Sequence, residues 1–169
     1  PVSRNSASCW TERDMRSGGP GQRVRTFPFS WMFREISGLW RISVWIWGLK
    51  VLLLKCGAPG LYYRTTQASR LRELEASLGI SAEDWSDRDG FEASYRPKKV
   101  LSGTGAGDTT IAAFLTAMLE GYPFEMCIRL AAAEGASCVE AYDALGGIRP
   151  LKELASMIES GWEKQDFKR

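Results

Sequence analysis

Histidine is absent from the 169 residues of this chain. Its absence excludes a histidine general base, a Ser-His-Asp triad and a metal centre ligated by histidine. The four cysteines are widely spaced and form no C-x-x-C pair, so the pattern of a structural zinc site is absent as well. The chain also lacks the order of a signal peptide, and we therefore expect reduced thiols and a cytoplasmic location.

A large charge of either sign is also lacking, because 22 basic and 20 acidic residues leave a net charge of +2. That balance gives no general reason to expect a nucleic-acid partner. Hydrophobic residues make up 44% of the chain and charged residues 25%, which excludes a collagen-like or wholly disordered protein. The length fits one domain, or one large piece of a domain.

The composition changes abruptly at the end of a first segment, residues 1–47. This segment contains seven Arg, no Lys, three acidic residues and five of the seven Trp. We interpret it as poorly ordered or as foreign to the fold that follows, which an altered reading frame would explain. Stacking of its tryptophans on single-stranded nucleic acid is a weaker alternative. A membrane span over Ile36–Leu54 is also weaker, because Arg41 and Lys50 interrupt it. We therefore expect no nucleic-acid or membrane partner.

The second segment, residues 48–169, has the hydrophobic patterning of an α/β protein. A continuous apolar run over Val51–Leu54 favours a fully buried parallel strand, and Leu61–Thr65 favours a second strand. Leucines at helical spacing predict an amphipathic helix that ends at Gly79. Residues 81–99 are polar, which predicts loops. Three more helices are predicted at about 109–120, 124–142 and 150–162, with Pro150 in the first turn of the last one.

The glycine-rich stretch from Ser102 to Thr110, SGTGAGDTT, carries the most chemical information. It precedes a helix, so its backbone N–H groups would face an anion where the helix dipole is positive. A carboxylate at Asp108 would repel a phosphate there, unless it is the base for a hydroxyl that attacks the phosphate. Asp108 also occupies the position where the Walker A loop needs Lys and the Rossmann loop needs Gly, so the stretch matches neither motif. The structural alternative is a tight turn with Asp108 as the helix N-cap.

Three motifs in this order resemble those of the PfkB (ribokinase-like) carbohydrate kinases. They are GAGDT with the following AAFL (105–109 and 112–115), KCGAPG (55–60) and the small-residue helix AAAEGA (131–136). The resemblance covers about residues 49–162. It implies a ribokinase-like three-layer α/β/α fold, of which this chain would carry only the C-terminal, nucleotide-binding half.

The resemblance also implies site residues and ligands. Asp108 would be the catalytic base that takes a proton from a sugar hydroxyl. The backbone N–H groups of Gly105, Ala106 and Gly107 would form an anion hole for the transferring phosphoryl group. The chain would then be an ATP-dependent sugar kinase, with ATP and a small sugar as its ligands. The residues implied to bind ATP are Gly57, Ala58, Pro59, Gly60, Ala132 and Gly135.

Several departures from the family pattern limit what the resemblance implies. The family's N-x-x-E motif near Mg²⁺ is absent, since Asn5 is the only asparagine, so no residue is assigned to a metal. Ser102 replaces an Asp that helps to hold a monovalent cation in the family, which puts that cation in doubt. Family members are much longer, so we expect weak or no activity from this chain alone. An incomplete sheet would expose apolar surface and favour association, for example as a homodimer.

Two alternatives to a sugar kinase stay open at this point. One is a nucleoside or vitamin kinase on the same fold, because the motifs report on the ATP side more than on the acceptor side. The other is a non-catalytic nucleotide-binding fragment. Other conspicuous residues are assigned to packing (Trp85, Trp162, Cys127 and Cys138) or to a solvated basic cluster (Arg96, Lys98 and Lys99).

Overall fold

The structure is a computed structural model that describes residues 48–166. The interpretations given for residues 1–47 lie outside this range. Within it, no helix is long and apolar enough to cross a membrane. In chain order the elements are β1 (Val51–Lys55), β2 (Gly60–Thr65), α1 (Ala68–Leu78), α2 (Ala82–Trp85), β3 (Asp89–Ala93), α3 (Ala106–Leu119), α4 (Phe124–Cys138) and α5 (Leu151–Glu159).

The three strands form an antiparallel sheet in the order β1-β2-β3. Val51 is paired with Thr65 and Lys55 with Leu61. The prediction of a fully buried parallel strand is therefore wrong, because β1 is antiparallel to β2 and its residues are partly buried or exposed. Only residues 56–59 connect the two strands, whereas a parallel pair needs a crossover of about a dozen residues or more.

The prediction of loops over residues 81–99 is wrong in two places. α2 begins after Ser81, whose side chain accepts a hydrogen bond of 3.3 Å from the Asp84 N–H, and it buries Trp85. β3 pairs with β2 from Gly60↔Ala93 to Arg64↔Asp89. Both elements are short and polar, and β3 is stabilised by a strand that lies far away in the sequence. Local composition therefore gave no signal for β3, whereas the Ser81-x-x-Asp84 pattern is a helix-capping signal that could have located the start of α2.

The helices occur where they were predicted, with different ends. α1 ends at Gly79, as predicted, with the glycine in the left-handed region and its N–H bonded to the Glu75 carbonyl at 2.9 Å. α3 begins three residues before its predicted start, and α4 ends at Cys138 rather than near residue 142. Pro150 is the N-cap of α5 rather than part of its first turn.

α4 is the central helix of the core, since most of its residues are buried. Trp85 packs edge to face against Phe124 and Phe114, with ring centroids 5.1 and 5.8 Å apart. Cys127 and Cys138 are fully buried, and burial raises the pKa of Cys127 to about 12, so this thiol stays protonated. The packing roles are thus confirmed for these residues, and Trp162 also packs against the core.

Candidate functional site

The turn between β1 and β2 depends on two glycines with positive φ. Gly57 has φ +68° and Gly60 has φ +133°. The Cys56 N–H donates to the Gly60 carbonyl at 2.8 Å, and the Gly60 N–H donates to the Gly57 carbonyl at 3.0 Å. A Cβ on Gly60 would collide with the Glu92 carbonyl of β3, whereas one on Gly57 would meet no atom within 4 Å. The fold therefore requires Gly60, while Gly57 leaves an open surface on the turn.

The start of α3 is formed by the glycine-rich stretch. Gly105 is the N-cap, in the left-handed region with φ +81°, and Ala106, Gly107 and Asp108 form the first helical turn. A Cβ on Gly105 would lie 2.5 Å from that of Ala144, so close packing also favours glycine there. The alternative in which Asp108 is the N-cap is therefore wrong. Its side chain is 94% exposed and is free to meet a substrate.

The backbone N–H groups at this helix start differ in their availability. Asp108 donates to the Gly105 carbonyl at 2.9 Å, and Ala106 makes a longer bond of 3.4 Å to the Gly103 carbonyl. For Gly105 and Gly107, no backbone hydrogen bond from the N–H group occurs within residues 48–166. These two groups, at the positive end of a 14-residue helix, are suited to bind an anion.

A cavity of about 360 Å³ adjoins both the turn and the start of α3. Residues from four separate parts of the sequence line it, within 55–61, 94–110 and 132–139 and at Gln165. Pro59 is not among the lining residues, and its carbonyl instead accepts the Ser94 N–H at 3.0 Å. Gly105 and Asp108 are not among them either, although both adjoin lining residues in the chain. The predicted site residues that line this cavity are Gly57, Ala58, Gly60, Ala106, Gly107, Ala132 and Gly135.

Close packing between α3 and α4 brings the small residues of α4 next to the start of α3. A Cβ on Gly135 of α4 would collide with the Thr110 hydroxyl oxygen of α3. That hydroxyl donates to the Ala106 carbonyl at 2.7 Å and so supports the first turn of α3. Glycine at position 135 thereby allows α4 to approach the anion-binding end of α3, with Ala132 one helical turn away on the same cavity wall.

Lys55 is the lining residue with the clearest chemistry that the sequence reasoning did not assign. It ends β1, and its Nζ lies 4.0 Å from the Asp108 carboxylate. The sequence did contain a signal for Lys55, because Lys55 is the first residue of the KCGAPG motif. Val100, Val139 and Gln165 also line the cavity. They come from outside the three motifs, and nothing in their local sequence marks them.

The basic residues before the glycine-rich stretch do not line this cavity. Arg96 is exposed and pairs with Glu163 at 2.9 Å. Lys98 and Lys99 are exposed as well, and the Lys98 backbone N–H donates to the Glu140 carboxylate at 2.6 Å. The interpretation as a solvated basic cluster is consistent with these positions.

A second cavity of about 430 Å³ lies between α3, α4 and the residues that lead into α5. None of the predicted site residues lines it. Its wall includes Glu134, which is 3% exposed. One carboxylate oxygen of Glu134 accepts the Arg149 N–H at 3.4 Å, and the other has no hydrogen-bond partner among the described residues. Burial raises the pKa of Glu134 to about 7.

The described residues do not form a metal site of their own. No group of three or more His, Cys, Asp or Glu side chains is placed to hold an ion within residues 48–166. The first cavity thus combines backbone donors, one lysine and an adjacent exposed carboxylate. This arrangement can bind a phosphorylated ligand and hold a proton acceptor beside it.

Two known kinases are similar to parts of this chain. A ribokinase of Arabidopsis thaliana is 39% identical over 61 residues, which are 36% of this chain and 16% of that protein. A nucleoside kinase of Methanocaldococcus jannaschii, described as an archaeal member of the ribokinase family, superposes with a TM-score of 0.56 at 22% identity. That superposition covers 76% of this chain and 37% of the nucleoside kinase, so the fold is ribokinase-like.

A structure of the Arabidopsis thaliana ribokinase complexed with ribose and ATP gives a TM-score of 0.49 at 27% identity, over 65% of this chain and 29% of that one. The matched part of this chain therefore spans between 16% and 37% of the length of these relatives. The family model for pfkB family carbohydrate kinases matches residues 48–149, which is more than half of the chain. On that match, together with its ribokinase-like fold, the chain belongs to the pfkB family of carbohydrate kinases.

Proposed function

We propose that this chain binds ATP in the 360 Å³ cavity and transfers the terminal phosphoryl group to a hydroxyl of a small sugar. The observation that carries the proposal is the convergence of three family motifs on one cavity, from the β1–β2 turn, the start of α3 and α4. Its small residues leave backbone groups accessible, as a phosphate chain requires.

In the proposed reaction, Asp108 accepts the proton of the sugar hydroxyl as the hydroxyl oxygen attacks the terminal phosphorus. The bond between that phosphorus and the bridging oxygen breaks, and ADP leaves with the electron pair. The N–H groups of Gly105 and Gly107 would stabilise the charge on the transferring group. Because the described residues form no metal site, we assign no step to protein-bound Mg²⁺.

The choice of a sugar as acceptor rests on the family and on the identity to a ribokinase. A nucleoside acceptor is kept in the test, because the nucleoside kinase of Methanocaldococcus jannaschii has the same fold. The cavity motifs concern ATP and do not distinguish the two acceptors. If the chain is a non-catalytic nucleotide-binding fragment, it binds ATP but transfers no phosphoryl group. ATP binding and phosphoryl transfer are therefore measured separately.

Binding is tested by isothermal titration of the full chain with ATP and Mg²⁺. Gly107→Val, which adds a branched side chain to the cavity wall, should abolish binding. Asp108→Asn should retain ATP binding, because the Asp108 carboxylate is proposed to accept a proton and not to hold ATP. Asp87→Asn is the matched control, since Asp87 is also an exposed aspartate and is not a cavity residue. Absence of ATP binding by the unmodified chain would contradict the proposal.

Transfer is tested by ADP release with ribose or adenosine as acceptor. We expect a slow reaction, below the usual range of about 1–10³ per second. Asp108→Asn should lower it by roughly 10²–10⁴, the usual contribution of a general base, while Asp87→Asn leaves it unchanged. Equal rates for Asp108→Asn and the unmodified chain would show that Asp108 is not the base. ATP binding without any transfer would favour the non-catalytic role.

A further inference from the structure

The second cavity is a separate binding space, since the described residues that line it all differ from those that line the proposed ATP cavity. Its volume of about 430 Å³ lies within the range of ligand pockets, which is roughly 300–1,000 Å³. One wall is a face of α3 from Thr109 to the C-cap Glu120, and another is formed by residues 148–152. Among the described residues, α4 contributes only Glu134. An inference about this cavity therefore does not depend on the proposed function.

Apolar side chains supply much of the wall of the second cavity. The described residues that do so are Ala112, Ala113, Ile148, Pro150 and Leu151. The hydroxyl groups of the two lining threonines donate to carbonyl groups of their own helix, Thr109 to Ala106 at 3.2 Å and Thr116 to Ala112 at 2.9 Å. Their donors are thus already used. The wall therefore suits a ligand with an apolar body and few polar groups.

The carboxyl group of Glu134 is the buried polar group in this wall, since the residue is only 3% exposed. One of its oxygens accepts the Arg149 N–H at 3.4 Å, which is a long hydrogen bond. The other oxygen has no hydrogen-bond partner among the described residues. A buried acceptor without a donor is unfavourable, so this free oxygen favours a ligand that donates a hydrogen bond.

The charge of an ionised Glu134 is not balanced by a salt bridge within residues 48–166. The guanidinium group of Arg149 is paired with two other carboxylates instead, Glu140 at 3.7 Å and Glu153. Burial is the main cause that raises the pKa of Glu134 to about 7, while the N–H and the charge of Arg149 lower the pKa and the charge of Glu153 raises it. A cation bound beside Glu134 would favour its ionised form.

The other two charged residues that line the second cavity, Glu120 and Lys152, are both exposed and have opposite charges. Water and salt screen such exposed charges far more than buried ones. Glu134 is therefore the charge that a ligand in this cavity meets with the least screening. An anion would be repelled by it, and a metal ion would find no group of three ligating side chains among the described residues.

We propose that the second cavity binds a small organic amine in its protonated form. The ammonium group donates a hydrogen bond to the free oxygen of Glu134 and balances the charge of the carboxylate. The apolar part of the amine packs against the apolar wall, which includes Ala112, Ile148 and Leu151. Because the free oxygen is itself buried, the carboxyl group turns about its terminal bond as the amine enters, a rotation with a broad energy minimum.

The test uses the full chain with benzylamine as the ligand, and with benzyl alcohol as a neutral ligand of nearly the same shape. Binding is followed by NMR titration of the backbone amide signals, so that the shifted signals also locate the site. Benzylamine should bind with a dissociation constant on the order of a millimolar, as its small size allows. It should bind at least about tenfold more tightly than benzyl alcohol, and the shifted signals should belong to residues around the second cavity.

The affinity for benzylamine should also depend on pH. Glu134, with a pKa of about 7, changes from roughly one tenth ionised at pH 6 to roughly nine tenths ionised at pH 8. The affinity should therefore rise about tenfold between these two pH values, while benzylamine itself stays protonated. This measurement on the unmodified chain tests the role of Glu134 without any substitution.

Three variants separate the contributions to binding. Glu134→Gln should weaken benzylamine binding at least about tenfold and remove the pH dependence. Ala112→Leu adds a bulky side chain from an exposed position of α3 and should block the cavity while Glu134 stays in place. Glu120→Gln is the matched control, because Glu120 is an exposed glutamate that lines the same cavity, and it should change the affinity less than about threefold.

Three results would overturn the inference. If benzylamine and benzyl alcohol bind equally, or neither binds at this cavity, the site does not recognise an ammonium group. If the affinity is the same at pH 6 and pH 8, or in Glu134→Gln, the ammonium group does not meet Glu134. If Glu120→Gln weakens binding as much as Glu134→Gln does, the amine is attracted only to the acidic surface. None of these measurements uses ATP, so their outcome leaves the proposed function unaffected.

Discussion

Glu134 is an acidic residue in a helix whose neighbouring side chains are almost all small or apolar. It is 3% exposed, and one of its carboxylate oxygens lacks a partner among the described residues. Burial is the main cause that raises its pKa, while the N–H and the charge of Arg149 lower the pKa and the charge of Glu153 raises it. The result is a pKa of about 7 against an ordinary value of 4.5. Folding therefore favours the protonated form of Glu134.

This shift predicts that Glu134 makes the chain less stable as the pH rises. Between about pH 4.5 and 7 the folded state binds more protons at this residue than the unfolded state, so the free energy of unfolding falls across that window. The loss should be on the order of 1–3 kcal/mol, since each pKa unit corresponds to about 1.4 kcal/mol. Glu134→Gln, which cannot ionise, should remove this contribution.

The measurement is urea unfolding of the unmodified chain and of Glu134→Gln at two pH values. One is pH 5, near the lower end of this window, and the other is pH 8, above its upper end. Glu120→Gln is the matched control, because Glu120 also lines the second cavity but is exposed. The control should retain the pH dependence of the unmodified chain. The prediction is wrong if Glu134→Gln retains it too, because the carboxyl would then ionise in the folded state as easily as in water.

At the residue scale, the sequence motifs indicated which residues to consider but not how packing would arrange them. The GAGD motif identified Asp108, and the structure places it exposed beside a helix start. The same motif could not reveal that Gly105 packs against Ala144 or that Gly135 accommodates Thr110. Those reasons depend on side chains that are distant in the sequence. Such contacts exist only once the strands and helices are assembled.

At the scale of elements, the β1–β2 hairpin offers a direct comparison of two glycines in one turn. Both have positive φ, so alanine would strain the backbone at either position. Only at Gly60 would the new Cβ also collide with the backbone of β3. We expect Gly60→Ala to lower the free energy of unfolding by at least about 2 kcal/mol more than Gly57→Ala does. Gly57→Ala should cost roughly 1–2 kcal/mol.

Urea unfolding of the two variants side by side checks this expectation, and Gly57→Ala serves as the control for strain in the turn. If both variants lose the same stability, the collision with β3 is relieved by movement of the strand, and the pairing of β2 with β3 is looser than the structure indicates.

The elements that could be predicted from the sequence are those with their own periodic pattern. α1, α3, α4 and α5 each have apolar residues at helical spacing and were located to within a few residues. The direction of β1 and the existence of β3 depend on pairing between strands, which a local pattern does not encode. The run Val51–Leu54 was apolar enough for a buried parallel strand, but the short turn after it permits only a hairpin.

For the molecule as a whole, apolar surface lies open along one side of the described structure. A groove of about 300 Å³ between β1, α1 and α3 is lined by ten apolar residues and Lys50. On α3, Leu115 in this groove is 46% exposed and Leu119, one turn further, is 65% exposed. β1 is an edge strand of the described sheet. An open edge beside exposed apolar side chains favours association, so we expect the chain to self-associate at micromolar concentrations.

Sedimentation velocity over a range of concentrations tests this expectation with the double variant Leu115→Gln and Leu119→Gln. Both residues are exposed and neither belongs to the buried core, so the variant should remain folded and shift toward the monomer. Leu145→Gln is the control, since Leu145 is 71% exposed but lies in the loop after α4, outside the groove. A concentration-independent monomer for the unmodified chain would mean that this surface is covered in solution. An equal shift for Leu145→Gln would instead mean that association follows total exposed apolar area and not this groove.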